Sequence, residues 1–417
     1  MWRGRHSSLG LVPVAGGDSF SRRIVVLVLT ADPPDVRAPQ HCGRSRTLRA
    51  SAPRRPTTGW ERTLLLSLGM TLAQPAAQSM AGVPPQELRW IVYPACPSDW
   101  SGQLQRCEGG FFHSPPGLEI AWPGGEPLFA QLLRGREEVV GVAAGVRRSC
   151  WLRHRPRHYY FPTLPALVGP ARRDEVVAEL ARALRSLGAA EVVFDSFDAQ
   201  WEPGSDAPEV PARQEYVVSL ETPLSQQVGR LRRDHRRHLR DGEREGWTLR
   251  TLEGEDARAL LSEVLEAAAR RAADRGDPFA ARVPAAAIRS PAPPLTDAWG
   301  TRVFSAWHGT RPLAALVVGW ANGRAYTLRS GATAEGYRRS ASVWLNWRVM
   351  SEFAEHGFRT CTLGGTSASA ARPENPAHGL FLFKTGFGSQ VAPRRGARWT
   401  FDRTHVLVHR LAARAFA

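Results

Sequence analysis

A chain of 417 residues, 43% of them hydrophobic, is long enough for two domains with cores of their own. A formal charge of +16 and a pI near 10.9 invite a nucleic-acid or membrane partner. Two features weaken that invitation: every basic residue except Lys384 is arginine, and residues 1–62 alone hold 11 arginines against four acidic residues. The composition therefore implies a basic surface without a dedicated nucleic-acid face. Cys42, Cys96, Cys107, Cys150 and Cys361 form no CxxC or CxxxC pair, which points to reduced thiols and away from a disulfide framework or a zinc site. No stretch approaches the ~20 apolar residues that span a bilayer. The expectation is a cytoplasmic protein with no metal and no membrane span.

Residues 1–85 are rich in Arg, Pro, Gly and Ser without sustained periodicity, and are expected to be disordered or a mis-assigned extension. Leu64–Leu72 followed by Ala73–Ala81 is similar to a signal peptide, but counts as one only if translation begins near Arg62 or Met70. From Leu88 the texture changes. Arg89–Tyr93 alternates as a strand does, Ser98–Cys107 fits a short helix, and Pro127–Arg134 with Glu138–Val146 reads as a hairpin through Gly135. Asp174–Leu187 carries an apolar stripe at Val176, Val177, Leu180, Ala183, Leu184 and Leu187 and stops at Gly188, so it is predicted to be a helix. Ala190–Asp195 follows as a buried strand, Pro203–Pro211 as a loop and Tyr216–Leu220 as a strand.

Leu224–Gly246 is predicted to be one helix, with Leu224, Val228, Leu231, His235 and Leu239 at helical spacing and seven arginines on its other faces. Ala257–Arg275 is a third helix and Ser290–Thr296 a Pro-rich loop. Val303–His308 and Pro312–Trp320 form a hairpin through Gly309, and Arg324–Ser330 adds a strand. Ser342–His356 is a helix ended by Gly357, and Arg359–Leu363 a buried strand. The order hairpin, helix, strand occurs twice, which implies tandem copies of one α/β fold, divided as residues 86–220 and 221–417.

The block with most chemical content is Thr362-Leu363-Gly364-Gly365-Thr366, a polar loop, and then Gly379-Leu380-Phe381-Leu382-Phe383-Lys384-Thr385-Gly386-Phe387-Gly388. A strand ending in Gly-Gly lets the backbone approach a partner closely. The chain is expected to return through an aromatic strand bearing Lys384. In a chain so biased to arginine, a lysine here points to a compact ammonium facing a carbonyl, phosphate or oxyanion where a planar guanidinium does not fit. Gly336-Tyr337-Arg338-Arg339-Ser340-Ala341-Ser342 lies between a strand and a helix N-terminus. It reads either as an anion site or as an N-cap at Ser340 or Ser342 with solvated arginines. Tyr326 and Asn346 are candidate substrate contacts, and His308 and His378 candidate bases. No Ser-His-Asp or Cys-His arrangement can be placed from the spacing. The 14 tryptophans read as core.

The Gly364-Gly365 strand end and the Gly379–Gly388 block resemble the end of the GNAT-like and FemAB-like acyltransferase group, where a strand ending in D-x-G-G is followed by G-L-x-x-F-K-x-x-F-G. The arginine segment Leu231–Arg240, running on to Glu245-Gly246, is similar to the R-R-x-I-R-x-A-x-x-x-G segment that opens the second domain of that group. Tyr326–Trp347 is similar to its strand, turn and helix. The resemblance covers about Leu88 to Phe401. It implies two tandem GNAT-like domains, with mixed central sheets flanked by helices, and direct attack of an amine on the donor carbonyl. It implies acyl-CoA as co-substrate, with no permanently bound cofactor. It places Lys384, Tyr326 and Asn346 at the reaction centre, Arg338, Arg339, Ser340, Ser342, Arg236 and Arg237 on the donor, and Gly364, Gly365, Phe383 and Phe387 on the substrate. The peptidoglycan-bridge enzymes of the group imply a second possibility, an aminoacyl-tRNA donor and a cell-envelope precursor as acceptor. A basic nucleic-acid-binding protein without catalysis is the third.

Overall fold

The computed structural model describes residues 27–28, 88–148, 157–169, 173–197, 209–274 and 293–407. The first half starts with β2 (Leu88–Tyr93), whose alternate residues Leu88, Trp90 and Val92 are buried. β1 (Leu27–Val28), inside the segment read as disordered, pairs parallel to it. The other expectations for residues 1–85 lie outside the described residues. α1 (Trp100–Arg106), a 3-10 turn (Phe111–His113) and α2 (Pro115–Ala121) follow. The Ser114 hydroxyl accepts from the Gly117 N–H and caps α2, and Pro115 gives up an N–H that no helical carbonyl would have received. β3 (Glu126–Arg134) and β4 (Glu138–Arg148) form the expected hairpin. β5 (Arg157–Phe161), β6 (Ala166–Leu167), α3 (Arg173–Ser186) and β7 (Ala189–Phe194) complete this half.

β8 (Glu209–Ser219) begins at Glu209, so the end of the expected loop is already strand. The predicted Leu224–Gly246 helix is broken into α4 (Leu224–Gln227), a 3-10 turn (Val228–Arg230) and α5 (Arg233–Arg244). The cause is tertiary. Leu231 turns extended (φ −66°, ψ 141°), and the Arg232 N–H leaves the helical ladder to donate to the Gly386 carbonyl at 2.9 Å. β9 (Thr248–Leu252), α6 (Gly254–Asp274), β10 (Trp299–His308), β11 (Arg311–Ala321) and β12 (Arg324–Ala332) follow. Then come α7 (Ala334–Arg338), α8 (Ala341–Glu355), β13 (Thr360–Ser367), α9 (His378–Thr385) and β14 (Gln390–Thr400). The predicted strand carrying Lys384 is therefore helix α9. Its run of Gly, Leu and Phe has no period-2 polar partner residues, and His235 of α5 anchors it by donating from Nε2 to the Phe383 carbonyl, 2.9 Å away.

Among the described residues, the strands join in one mixed sheet of order β1-β2-β3-β4-β5-β7-β14-β8-β13-β12-β11-β10-β9, with β6 against β4. The two halves are welded at its middle, where the last strand, β14, inserts between β7 of the first half and β8. A second joint lies off the sheet. Asn322-Gly323, both at positive φ, turns the β11–β12 hairpin. The Asn322 side-chain amide donates to the carbonyls of Leu104 and Gly109 in the first half. Phe111 sits directly over Gly319, where a Cβ would lie 2.5 Å from its ring, and packs with Phe112 and Tyr326 into a shared aromatic core.

His113 fixes that 3-10 turn. The Gly110 N–H donates to its Nδ1 at 3.1 Å, so Nε2 carries the proton and donates to the Leu164 carbonyl at 2.8 Å. Burial pushes the imidazole from its ordinary value of 6.5 down to about 4. Below pH 6.5 the unfolded chain therefore binds a proton that the folded chain refuses until about pH 4, so stability falls with pH across that window. Thermal unfolding between pH 7 and 4 should show a falling Tm, and His113→Asn should flatten the slope, leaving a remainder from His235 and His238, which are lowered in the same sense.

Candidate active site

β12 and β13 are parallel neighbours, but their ladder holds only three pairs, Arg324–Tyr326 against Thr360–Thr362. Both strands continue beyond it, β12 to Ala332 and β13 to Ser367, paired on their outer sides alone. Each carries a bulge where the ladder stops. On β12 the partners step from Val317↔Arg329 to Val318↔Thr327, leaving Leu328 extra. On β13 they step from Thr362↔Val217 to Gly365↔Glu215, leaving one residue extra at Leu363-Gly364. Gly364 takes φ +74°, a conformation that strains any residue with a Cβ. The sheet is thus unzipped at one place, with free backbone edges facing each other.

Lys384 fills the edge of that opening. It lies near the end of α9, is 6% exposed, and its Nζ donates to the Gly365 carbonyl at 3.1 Å. A Cβ on Gly364 would stand 3.4 Å from the same Nζ and 3.5 Å from the Thr327 carbonyl, so glycine leaves the ammonium room between the strands. The ammonium also lies 5.5 Å from the Tyr216 ring centroid, and the Tyr216 hydroxyl is 2.7 Å from Thr366 Oγ1. Burial lowers the Lys384 amine from 10.5 to about 7, with Glu215 opposing the shift and Arg213 adding to it. The Arg394 Nε donates to Glu215 at 2.6 Å in an ion pair that is almost wholly buried. Arg213 reaches Asp195 at 3.2 Å and covers the Phe197 ring at 4.5 Å, and Asp195 also accepts from the Tyr160 hydroxyl and the Ser196 N–H. The site is therefore walled by β8, β13, β14 and α9, with β7 contributing through Asp195.

The corresponding place in the first half is closed. β5 and β7 are parallel over five partner pairs, from Arg157↔Ala189 to Phe161↔Phe194, and the Asp195 N–H extends the contact to the Phe161 carbonyl. Phe161 and Phe194 stack at 4.5 Å over the seam. Chemistry that needs an opened parallel pair has its place in the second half.

The remaining sequence candidates disperse. Gly364 and Gly365 lie against Lys384. Phe383 and Phe387 lie behind it, stacked edge-on against each other and packed on His235. Tyr326 faces the aromatic joint between the halves. Asn346 is buried and donates to the Ser342 carbonyl within α8. Arg339 is held by Glu335 at 3.0 Å and by Glu245, Arg338 is exposed, and Ser340 precedes α8 at φ +57° without a side-chain cap. Arg236 donates to the Gly229 carbonyl, and Arg237 lies 3.7 Å from Asp234. His308 ends β10, separated from β13 by β12 and β11, and His378 Nδ1 is 3.2 Å from the Ala370 carbonyl. Burial drives the thiols of Cys107 to about 11 and Cys361 to about 12, which makes them poor nucleophiles. Glu215, Tyr216, Arg213 and Arg394 are site residues that the sequence reading missed. The available signal was a charged residue, Glu215, directly ahead of the apolar alternation Tyr216, Val218, Leu220.

Residues 229–372, about a third of the chain, match the acetyltransferase (GNAT) domain family. The match runs from α5 through β13 and ends before Lys384. The fold is shared with the crystal structure of FemX, at 11% identity and TM-score 0.53, over 73% of this chain and 98% of that one. A tandem GNAT protein from the clavulanic acid biosynthesis pathway is 15% identical over 75% of this chain and 98% of that one, with TM-score 0.43. The structure of L-PGS from Bacillus licheniformis is 13% identical over 66% and 87%, with TM-score 0.43. No curated protein matches in sequence. Residues 229–372 thus match a GNAT acetyltransferase domain, and the chain shares the FemX fold.

Gly364→Ala should cost about 1–2 kcal/mol, the penalty of a Cβ at positive φ. Gly379→Ala, in the first turn of α9 with nothing within 4 Å of the new Cβ, should be neutral or stabilise by about 0.4–1 kcal/mol. Denaturant midpoints of the two variants check the contrast.

Proposed function

We propose that this chain is a cytoplasmic N-acyltransferase that moves an acyl group from acyl-CoA to an amine in the opening between β12 and β13, with Lys384 as the cation that stabilises the oxyanion. The observation that carries this reading is the buried Lys384 ammonium at the unzipped end of β13. Nζ spends one of its three donors on the Gly365 carbonyl, which leaves two for a ligand. A neutral acceptor amine attacks the thioester carbonyl, the carbonyl oxygen becomes an oxyanion beside Nζ, the C–S bond breaks as the C=O reforms, and the departing thiolate takes up the proton that the amine loses. A preorganised donor in a low-dielectric site lowers the barrier more than the same donor in water. The depressed affinity of Lys384 for its proton is suited to this use, since the negative charge of the intermediate restores it.

Residues 86–220 and 221–417 are proposed as the two GNAT-like units, with β14 exchanged into the seam between them. The backbone of Gly364 and Gly365 lines the acyl position, and Phe383 and Phe387 form its rear wall. Tyr326 holds the joint between the halves, and Asn346 holds the first turns of α8, so both act by positioning. Arg338 is the exposed cation nearest the start of α8 and is assigned to the donor phosphates with Ser340 and Ser342. Arg339 is assigned to fixing the same turn against α5.

A second donor, an aminoacyl-tRNA with a cell-envelope precursor as acceptor, is favoured by one feature. α5 spans from α8, where Gly242 meets Trp344, to α9, where His235 meets Phe383, and so carries Arg233 and Arg240, with the nearby Arg230, along the site's flank. Arg236 and Arg237 belong to that face, and phosphates of either donor are partners it suits.

Product formation from a panel of CoA thioesters with amine acceptors, run beside charged tRNA with a muropeptide, separates the two donors. With the donor that works, Lys384→Met should lose about 10²–10³ in kcat, and Lys384→Arg should not restore it. Full activity in the arginine variant would remove Lys384 from the reaction centre. Because the protonated amine is the active form, the Lys384-dependent part of kcat/KM should decline as pH rises through about 7.

A further inference from the structure

Lys384 is ordered by its neighbours as well as by burial. The residue opposite Gly365 in the β13–β8 ladder is Glu215, and a Cβ placed on Gly365 would lie 3.8 Å from Glu215 Cγ and 3.7 Å from Arg213 Nη2. Gly365 is the residue whose carbonyl holds the Lys384 ammonium. Glu215 is 2% exposed, and Arg394 of β14, 6% exposed, donates to its Oε2 at 2.6 Å. A buried carboxylate and a buried guanidinium therefore stand side by side at the base of the site, in a protein whose other glutamate–arginine pairs mostly lie on the surface. Burying such a pair costs desolvation that its attraction recovers only in part, so its location invites a local explanation.

We propose that Glu215, held by Arg394, is the positioning residue that sets how much positive charge Lys384 carries and keeps its ammonium on the Gly365 carbonyl. Without a counter-charge, burial would strip the proton from Lys384 and leave a neutral amine unable to hold an oxyanion. With Glu215 fully available, the lysine would form a closed ion pair and lose its affinity for substrate. Arg394 divides the carboxylate's charge between two cations and places Lys384 between these limits. The other charged or titratable groups around α9 include Arg213 and Tyr216 on β8, His235 on α5, Arg230 and Arg232 ahead of α5, Arg329 on β12 and His378 on α9 itself; the Tyr216 hydroxyl is tied to Thr366 Oγ1. Arg213 is tied to Asp195, His235 to the Phe383 carbonyl and His378 to the Ala370 carbonyl. Arg230 packs on Gly388, and Arg329 donates to the Leu328 carbonyl. Of the groups on the elements packed against α9, Glu215 supplies the acidic influence that raises the lysine's proton affinity. The inference builds on Lys384 as the cation of the proposed site, but it can be tested without any substrate.

Since the chain contains one lysine, growth on ¹³Cε-lysine gives a single side-chain signal whose shift reports the charge of Lys384 directly. In the wild type that signal should titrate near pH 7, well below an ordinary lysine. Glu215→Gln should move the midpoint down by about one pH unit, because it removes the carboxylate and leaves Arg394 as a second buried cation. Arg394→Gln should move it up by about one unit, because it releases Glu215 to Lys384. A general loosening of the site would rehydrate the amine and raise the midpoint in both variants. Shifts of the same sign, or no shift in either, overturn the proposal. If Glu215→Gln does not fold, Glu215→Asp takes its place: the shorter side chain draws the carboxylate away from Lys384 and should lower the midpoint, and a raised or unmoved midpoint overturns the proposal. Absence of acyl transfer in the wild type, with the opposed shifts observed, would count against the proposed reaction and leave the charge-setting role standing.

Discussion

Everything at this site follows from a parallel strand pair that is zipped for three residues and then opens. Parallel strands normally exchange hydrogen bonds along their shared length, and the β5–β7 pair of the first half does so. Between β12 and β13 the exchange stops at Tyr326 and Thr362, where each strand carries a bulge. An opened edge exposes carbonyls that must find other partners or remain costly. Lys384 meets that need at Gly365, and Thr327 turns its hydroxyl toward the Thr362 carbonyl. The same opening is where the acyl donor is proposed to enter. Structure and chemistry thus depend on one departure from regular pairing.

Holding that gap open demands rigid supports on both sides. On one side, β8 and β14 lock β13 into the middle of the sheet, and α5 braces α9 through His235, whose ring stands where a Cβ on Gly386 would lie. On the other, β10, β11 and β12 form a long antiparallel set backed by α6 and α8. The first half acts as a buttress. The carbonyls of Leu104 and Gly109 hold the β11–β12 hairpin through Asn322, and the Phe111 and Phe112 rings pack against Tyr326. Large aromatic side chains bury roughly 150–250 Å² each, so this joint is a substantial apolar contact. It also explains why Tyr326, a natural candidate for the reaction centre, is committed to packing.

Much of this architecture was legible in the chain. Period-2 and period-3.6 patterns located β3, β4, β10, β11, α3, α6 and α8, and the doubled order of elements pointed to tandem units. Gly364-Gly365 and the rarity of lysine singled out the residues that meet at the opening. Three features were hidden, each because a distant segment decides it. The α5 helix starts late because Arg232 bonds to Gly386, more than 150 residues away. The segment around Lys384 is helical although its apolar run fits a buried strand equally well, a choice that periodicity alone does not make. Glu215 and Arg394 lie 179 residues apart and meet only because β14 returns beside β8. The carboxylates that face Arg339 and Arg237 were not legible either: Glu335 and Asp234 lie beside them on the same surface, one helical turn earlier in the chain.

The most direct measurement uses the single lysine as a footprint. Full-length protein is labelled with an amine-reactive reagent, with and without the donor that supports turnover, and the rate at Lys384 is followed by peptide mass spectrometry against the N-terminal amine as reference. If the donor's acyl end lies in the opening between β12 and β13, its binding should slow modification of Lys384 and leave the reference unchanged. Saturating donor, verified by calorimetry, with no change in the Lys384 rate would contradict the placement of the reaction centre.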